Sequence, residues 1–234
     1  MTSNKSTSKN ASQRRMGQRF LRHHLPLGLI SLMLIAVVFQ FVVSPDIRFR
    51  LSMATAYTAL ILLGGTLLTG PINVLKSHSN PISTDLRRDL GIWSAIIGIV
   101  HTAVGLTVHM GGKFWLYFVY PAQESHPLPI RLDPFGFANY TGLMGTLILA
   151  FLLAISNDLS MRVIGGKRWK DLQRWNYGLY VLVVLHATAY QFIEKRQLPY
   201  PILFAALVAV VVVIQWAGFH RRKQQLTRTM NTDI

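Results

Sequence analysis

Six apolar stretches alternate with short polar connections along the chain. They cover residues 25–43, 52–69, 90–109, 138–155, 175–192 and 201–219. A transmembrane helix needs about 20 consecutive, predominantly apolar residues, so each stretch is close to the required length. The pattern therefore predicts an all-α integral membrane protein built as a bundle of six transmembrane helices.

The chain ends are polar and basic. Residues 1–24 predict a cytoplasmic lead, residues 25–220 the six-helix transmembrane domain, and residues 221–234 a basic cytoplasmic tail. A signal peptide is the alternative for residues 1–43. The long polar lead and the lack of a small-x-small cleavage site at residues 42–46 favour a retained first helix.

Composition also favours a membrane protein. Charged residues make up 14% of the chain, against about 25% in a typical soluble domain. The formal net charge of +15 is also typical of nucleic-acid-binding proteins, but here the basic residues lie in the short connections between apolar stretches. We therefore expect a lipid bilayer as partner, and no nucleic acid.

Lys and Arg residues are divided unevenly between the two sides of the predicted bundle. Eighteen lie on the side that carries both termini and 6 on the other side. Because cytoplasmic loops carry an excess of positive charge, both termini are expected in the cytoplasm of a multi-pass protein of the inner membrane. The third and fifth helices then run parallel, from the cytoplasm outward.

Two histidines lie within these parallel helices. His101 is 12 residues after Asp89, and His186 is 12 residues after Arg174, so both imidazoles are expected about 18 Å into the membrane. Cysteine is absent, which excludes disulfides and thiolate-bound metals. Two neutral imidazoles at one depth are suited to hold a haem iron from opposite sides. The alternative for each histidine is an interhelical hydrogen bond.

Further residues near this pair, and in the outer loop, are candidates for the site. Gly98 and Gly105 share a helix face with His101, which predicts either room for a flat macrocycle or close helix packing. His109 lies about 80° around the helix from His101 and is expected to line an outer vestibule or to cap the helix. The outer loop has three side chains that suit metal binding or a solvated loop: Glu124, His126 and Asp133.

Two motifs make the pattern more specific. Arg87-Arg88-Asp89-Leu90-Gly91 precedes His101, and Trp169-Lys170-Asp171-Leu172-Gln173-Arg174-Trp175 precedes His186. They resemble the third and fifth helices of the ferric reductase-like transmembrane family. The resemblance of the chain to this family extends over residues 52–220. By size, the chain resembles the haem-binding membrane subunits of periplasmic methionine sulfoxide reductase systems. The resemblance implies b-type haem between helices three and five, with His101 and His186 at the iron-ligand positions.

The sequence departs from the family pattern at Gln173, where the family commonly has a histidine. Glutamine is not a usual haem ligand, so we expect one haem b per chain. Gln173 is then expected to have a polar role at the inner membrane surface, such as a hydrogen bond to a quinol head group or to a backbone carbonyl.

The resemblance implies a membrane cytochrome b that relays electrons across the cytoplasmic membrane, an oxidoreductase component with no catalytic residue of its own. The sequence has no Gly-rich dinucleotide fingerprint, so quinol or a separate flavin reductase is expected as electron donor. An outer-side oxidoreductase is expected as acceptor. Two alternatives stay open: a terminal ferric or cupric reductase acting at the outer face, and a haem-free structural or transport subunit.

Overall fold

A computed structural model describes residues 17–76 and 84–232. Six long helices occupy the six apolar stretches: α1 Leu25–Phe41, α2 Ile47–Leu75, α3 Thr84–Gly105, α4 Pro134–Ala154, α5 Trp175–Ile193 and α6 Tyr200–Thr232. Two short helices, Asp158–Ile164 and Gly166–Gln173, join α4 to α5. No β-strand occurs within the described ranges, which confirms the all-α prediction.

Within the part of the chain that the structure describes, four helical segments are long and apolar enough to cross a membrane: Gly17–Phe41, Ile47–Leu75, Pro134–Ala154 and Tyr200–Arg228. The first and last bury only 11% and 17% of their apolar windows inside the protein. Soluble monomers rarely leave such large apolar faces uncovered, so these helices indicate a multi-pass membrane protein. The more polar α3 and α5 are not among the four, and six spans stay a prediction.

Helix α2 lies at the centre of the bundle. It packs against α1, α3 and α6, while α4 packs against both α3 and α5. The core is formed by Leu63 and Leu67 of α2, Leu149 and Leu152 of α4, and Leu179 of α5. Helices α3 and α5 lie on two sides of a cavity whose wall they share with α2 and α4.

Helix α2 continues through Pro71 to Leu75, whereas the sequence pattern predicted that the second stretch ends at Thr69. Proline has no N–H to donate to the carbonyl four residues earlier, which leaves the Leu67 carbonyl without its helical partner. The side-chain amide of Gln215, on α6, donates to this carbonyl at 2.9 Å. Because a neighbouring helix replaces the missing hydrogen bond, the proline does not end α2.

Helical structure begins before α1, at Gly17, and includes a π-helical turn at Phe20–His24. The sequence pattern predicted that the first helix begins at residue 25. This segment is tied to α3 by Asp89, whose side chain is fully buried. The Asp89 carboxylate accepts hydrogen bonds from Arg19 and lies 2.7 Å from Nδ1 of His23. A buried carboxylate needs such partners, so it holds the segment as part of the bundle.

The remainder of the predicted lead, residues 1–16, lies outside the described residues. At the other end, residues 221–232 of the predicted tail continue α6 as regular helix.

The loop between α3 and α4 folds back onto the end of α3. Tyr117, in this loop, is buried, with only 1% of its surface exposed. Its hydroxyl donates to the Gly105 carbonyl at 2.9 Å and accepts from the His109 N–H at 2.8 Å. These bonds satisfy backbone groups at the helix end, so α3 ends at Gly105 and not at His109 as predicted.

Candidate functional site

His101 lies near the end of α3 and is anchored to α2. Its Nδ1 is 3.0 Å from the backbone carbonyl of Ser52. A carbonyl oxygen only accepts hydrogen bonds, so Nδ1 carries the proton and the lone pair of the neutral ring is on Nε2. The ring lines the cavity between α3 and α5.

His186 has the same arrangement on the facing side. Its Nδ1 donates to the backbone carbonyl of Ala138, on α4, at 2.7 Å. Its lone pair is therefore also on Nε2, and its ring lines the same cavity. A backbone carbonyl that holds Nδ1–H is the usual device for orienting a histidine that binds a metal through Nε2.

The two imidazoles face each other closely. Their ring centres are 6.3 Å apart and their planes are nearly perpendicular, at 76°. With a metal–imidazole bond of about 2 Å and about 1.2 Å from ring nitrogen to ring centre, two imidazoles on opposite sides of one metal have centres about 6 Å apart. The observed separation therefore fits a shared metal centre.

The cavity around the pair has a volume of about 430 Å³. This lies within the range of about 300–1,000 Å³ that is usual for small-molecule and cofactor sites. No cluster of three or more His, Asp or Glu side chains suited to a metal ion occurs among the described residues. A metal held by this pair alone would have its other coordination positions open to a further ligand, such as a macrocycle.

Glycine on α4 makes the close approach of His186 possible. A Cβ built on Gly142 would lie 2.6 Å from Nδ1 of His186, so no larger residue fits there with the ring in place. The flanking glycines of His101 differ from each other. A Cβ on Gly98 would lie 2.9 Å from Leu149, which indicates helix packing, whereas one on Gly105 would make only ordinary contacts. Both glycines line the cavity.

His109 lies beyond the end of α3. The predicted angle of about 80° between His109 and His101 around the helix axis therefore does not apply. Its Nε2 is 3.0 Å from the Glu194 carboxylate, and its ring stacks on Tyr190 at 6.4 Å between centres. Tyr190 in turn lies 5.0 Å from the His186 ring. His109 thus lines the cavity at the loop end, as one of the two predicted alternatives had it.

Glu194 and Arg196 bring charge to this end of the cavity. Burial alone would raise the pKa of Glu194, but the hydrogen bond from His109 and the Arg196 guanidinium outweigh it and hold the pKa below its ordinary value. The Nε of Arg196 and the Oε1 of Gln191 are buried without hydrogen-bond partners, and both residues line the cavity. A buried donor without an acceptor fits a cofactor that carries carboxylates, as haem does.

Gln173 lies at the opposite end of the bundle, next to a second cavity of about 770 Å³. Its side-chain nitrogen is 3.4 Å from the Ser156 hydroxyl, and its carbonyl oxygen is 3.4 Å from the Asn176 amide. The polar contacts are to side chains and differ from the predicted backbone carbonyl. No histidine is among the described residues that line this second cavity.

The three loop side chains do not form a common site. His126 stacks on Tyr120 at 3.5 Å and pairs with Glu124 at 3.0 Å, on the surface. Asp133 accepts from the Gly136 N–H at 2.7 Å and so caps α4. Arg131 pairs with Asp133 and lowers the pKa of its carboxyl.

Sequence reasoning missed three features of the site. The Ser52 and Ala138 carbonyls carry no side-chain signal, so their role in holding the histidines was not predictable. Gly142 has no side chain that would signal a role, although its distance of four residues from Ala138 places both on one face of α4. The second cavity lies between the five long helices α2 to α6 and the short helix Gly166–Gln173, and it has no local motif.

No protein-family model matches the chain. Curated relatives do match it. The protein-methionine-sulfoxide reductase heme-binding subunit MsrQ of Yersinia pseudotuberculosis serotype O:1b (strain IP 31758) is 27% identical over 163 residues, which are 69% of this chain and 71% of that protein. The protein of the same name from Yersinia pestis (strain Pestoides F) is 27% identical over 163 residues, 69% of this chain and 70% of its own length. The chain is thus similar to proteins named as heme-binding subunits of a methionine sulfoxide reductase, which confirms the predicted resemblance to the haem-binding subunits of such systems.

Proposed function

We propose that the chain is a membrane cytochrome b that relays electrons across the inner membrane to an outer-side oxidoreductase, through one haem held by His101 and His186. The observation that carries the proposal is the pair of imidazoles 6.3 Å apart, each with Nδ1 hydrogen-bonded to a backbone carbonyl and each facing one cavity. The named relatives support the same cofactor.

The bound haem would supply reversible one-electron chemistry, and the protein supplies its position and surroundings. The Ser52 and Ala138 carbonyls fix the tautomer of the two histidines, so that both Nε2 lone pairs are available. Arg196 offers a buried N–H to a carboxylate of the cofactor. The apolar wall, which includes Leu60, Leu149 and Phe204, keeps water away from the site.

The proposed relay runs outward, with both termini in the cytoplasm as the division of Lys and Arg predicts. The relatives are named as subunits of a reductase of protein methionine sulfoxide, which supports an oxidoreductase as the electron acceptor. Quinol or a separate flavin reductase is the proposed donor. An acceptor would then dock against the α3–α4 loop, near His109.

The test is a visible spectrum with haem quantification. Purified protein should show a low-spin b-type spectrum with one haem per chain, which His101→Ala and His186→Ala each abolish or shift to high spin. His109→Ala is the matched control and should keep the spectrum, because its Nε2 is paired with Glu194. A wild-type spectrum in either of the first two variants would remove the ligand assignment.

The same preparation tests the donor. NADH or NADPH alone should leave the haem oxidised, and addition of a quinol or of a flavin reductase should reduce it. A wild-type protein without haem would instead support the haem-free structural subunit, and rapid reduction of ferric chelates without another protein would support the terminal metal reductase.

A further inference from the structure

The loop end of the histidine cavity holds a pair of titratable side chains, His109 and Glu194. His109 lies beyond the end of α3, Glu194 follows the last residue of α5, and both line the cavity. Nε2 of His109 is 3.0 Å from a carboxylate oxygen of Glu194. The proposed ligation of haem by His101 and His186 gives this pair no role of its own.

The pair is only partly shielded from solvent. The side chain of His109 is 34% exposed, and that of Glu194 is 15% exposed. His109 can therefore exchange a proton with water, while the carboxylate stays in surroundings where charges are weakly screened. Weak screening strengthens the attraction between the Glu194 carboxylate and a protonated His109 ring. The pair is thus suited to take up a proton.

The atom that binds the proton follows from the hydrogen bond within the pair. A carboxylate only accepts, so Nε2 of His109 donates to Glu194 and the lone pair of the neutral ring is on Nδ1. A proton that binds at Nδ1 makes the ring an imidazolium. The imidazolium keeps the hydrogen bond from Nε2 and gains the attraction of the negative charge, so protonation needs no rearrangement of side chains.

The proton affinity of the pair also depends on its neighbours. Among the described residues, the charged or titratable neighbours come from α2, from the α3–α4 loop and from the end of α5: Arg48, Tyr117, Tyr190 and Arg196. Helix α4 contributes the uncharged ring of Phe135, whose centre is 6.0 Å from that of His109. Both tyrosines are neutral in the physiological pH range, whereas the two arginines oppose a further positive charge on His109. The pair therefore gains a proton most readily when positive charge nearby is reduced.

Reduction of a metal held by the two candidate ligands removes one such positive charge. The Tyr190 ring connects the two sites, since its centre is 6.4 Å from that of His109 and 5.0 Å from that of His186. At a distance of about 10 Å and an effective dielectric constant of about 20, one unit of charge changes the proton affinity of a group about tenfold. Reduction of the metal therefore favours protonation of His109.

We propose that His109 and Glu194 form a redox-linked proton site. When the haem iron takes up one electron from the quinol or the flavin reductase, Nδ1 of His109 binds one proton from water at the loop end. The proton is released to this water when the iron passes the electron on. The total charge of the cavity then stays constant, which lowers the cost of placing an electron in an apolar enclosure. The proposal rests on the haem ligation by His101 and His186 proposed above.

The test is a redox titration of the purified haem-loaded protein at a series of pH values, from about 5 to about 9, which brackets the titration of histidine. Because the reduced state binds the proton more tightly, the midpoint potential of the haem should fall as the pH rises. A tenfold difference in proton affinity corresponds to a total fall of about 59 mV for a one-electron couple. We expect a fall of this size in the wild type.

Two variants separate the roles of the pair. His109→Gln removes the proton-binding atom and should make the midpoint potential nearly independent of pH. Glu194→Gln removes the negative charge that favours the imidazolium, so the fall in potential should move to lower pH. Both variants should keep the low-spin spectrum of the wild type, which also shows that they are folded and loaded with haem.

His126→Gln is the matched control. His126 also lies 3.0 Å from a carboxylate, that of Glu124, but this pair is on the loop surface and does not line the cavity. The fall in potential should be the same as in the wild type.

The outcomes distinguish this proposal from the haem assignment. A haem-loaded wild type whose potential does not change with pH overturns the proton site alone. So does the same fall in His109→Gln as in the wild type, an unshifted fall in Glu194→Gln, or a loss of the fall in His126→Gln. A wild-type protein without haem overturns the proton site together with the proposed function.

Discussion

Replacing Gly142 by alanine is the sharpest test of how α4 holds His186. The added Cβ would lie 2.6 Å from Nδ1 and 2.8 Å from Cε1 of the ring, well inside ordinary contact distance. Because Nδ1 is also bonded to the Ala138 carbonyl at 2.7 Å, the ring cannot move away without breaking that hydrogen bond. The substitution therefore acts on the orientation of the imidazole and not only on helix packing.

The size of the effect follows from these two contributions. Overpacking a filled site costs about 1–3 kcal/mol. Loss of a buried hydrogen bond costs about 0.5–1.5 kcal/mol more. A total of about 1.5–4.5 kcal/mol, falling on the haem-bound state, weakens haem affinity about 12- to 1,600-fold. We therefore expect purified Gly142→Ala protein to contain much less haem, with the remainder shifted toward high spin.

Gly145→Ala is the matched control. It lies three residues further along α4, and a Cβ there would make only ordinary contacts, 3.7 Å from Leu179 and 3.9 Å from Leu182. Haem content should stay close to that of the wild type. Equal haem content and spectrum in Gly142→Ala and the wild type, or an equal loss in both alanine variants, would refute the reasoning.

Three further results are expected. Gln215→Leu leaves the Leu67 carbonyl without a hydrogen-bond donor and should lower the free energy of unfolding, measured thermally in detergent, by about 1–3 kcal/mol. Pro71→Ala restores a helical N–H to this carbonyl, so the double variant should recover most of that loss, and additive effects would contradict the assignment. Arg131 lowers the pKa of Asp133, so the stability of the wild type should fall as the pH drops below about 4. Asp133→Asn keeps the helix cap and should flatten this part of the curve of stability against pH, whereas parallel curves for the two proteins would count against the ion pair. Reporter fusions should place residues 111–137 outside and residues 158–174 in the cytoplasm, and the reverse result would reverse the proposed direction of electron flow.

The helical architecture was predictable because apolar stretches of membrane length are a local signal. Helix ends were less so, since they depend on contacts with distant parts of the chain. Pro71 does not end α2 because Gln215, far along the sequence, supplies a hydrogen bond to Leu67. The end of α3 at Gly105 depends in the same way on Tyr117.

The candidate ligands were predictable for a different reason. His101 and His186 are ionisable residues in apolar helices. Their equal spacing from polar helix starts predicts that both lie at the same depth in the membrane. The structure brings the rings to 6.3 Å. The wall of the cavity was not predictable, because which of many leucines and glycines face inward depends on how the helices are rotated and packed.

The hydrogen-bond acceptors of both histidines belong to the main chain. No amino-acid replacement at position 52 or 138 deletes a backbone carbonyl, so the orientation of the rings is insensitive to the chemical identity of those residues. A saturation mutational scan should therefore show an asymmetry. Positions 101 and 186 should admit almost no substitution, while position 52 should accept chemically diverse side chains. Position 138, which is fully buried, should be limited by volume and not by polarity. Sequence drift around the site can thus be wide while the two rings keep their orientation.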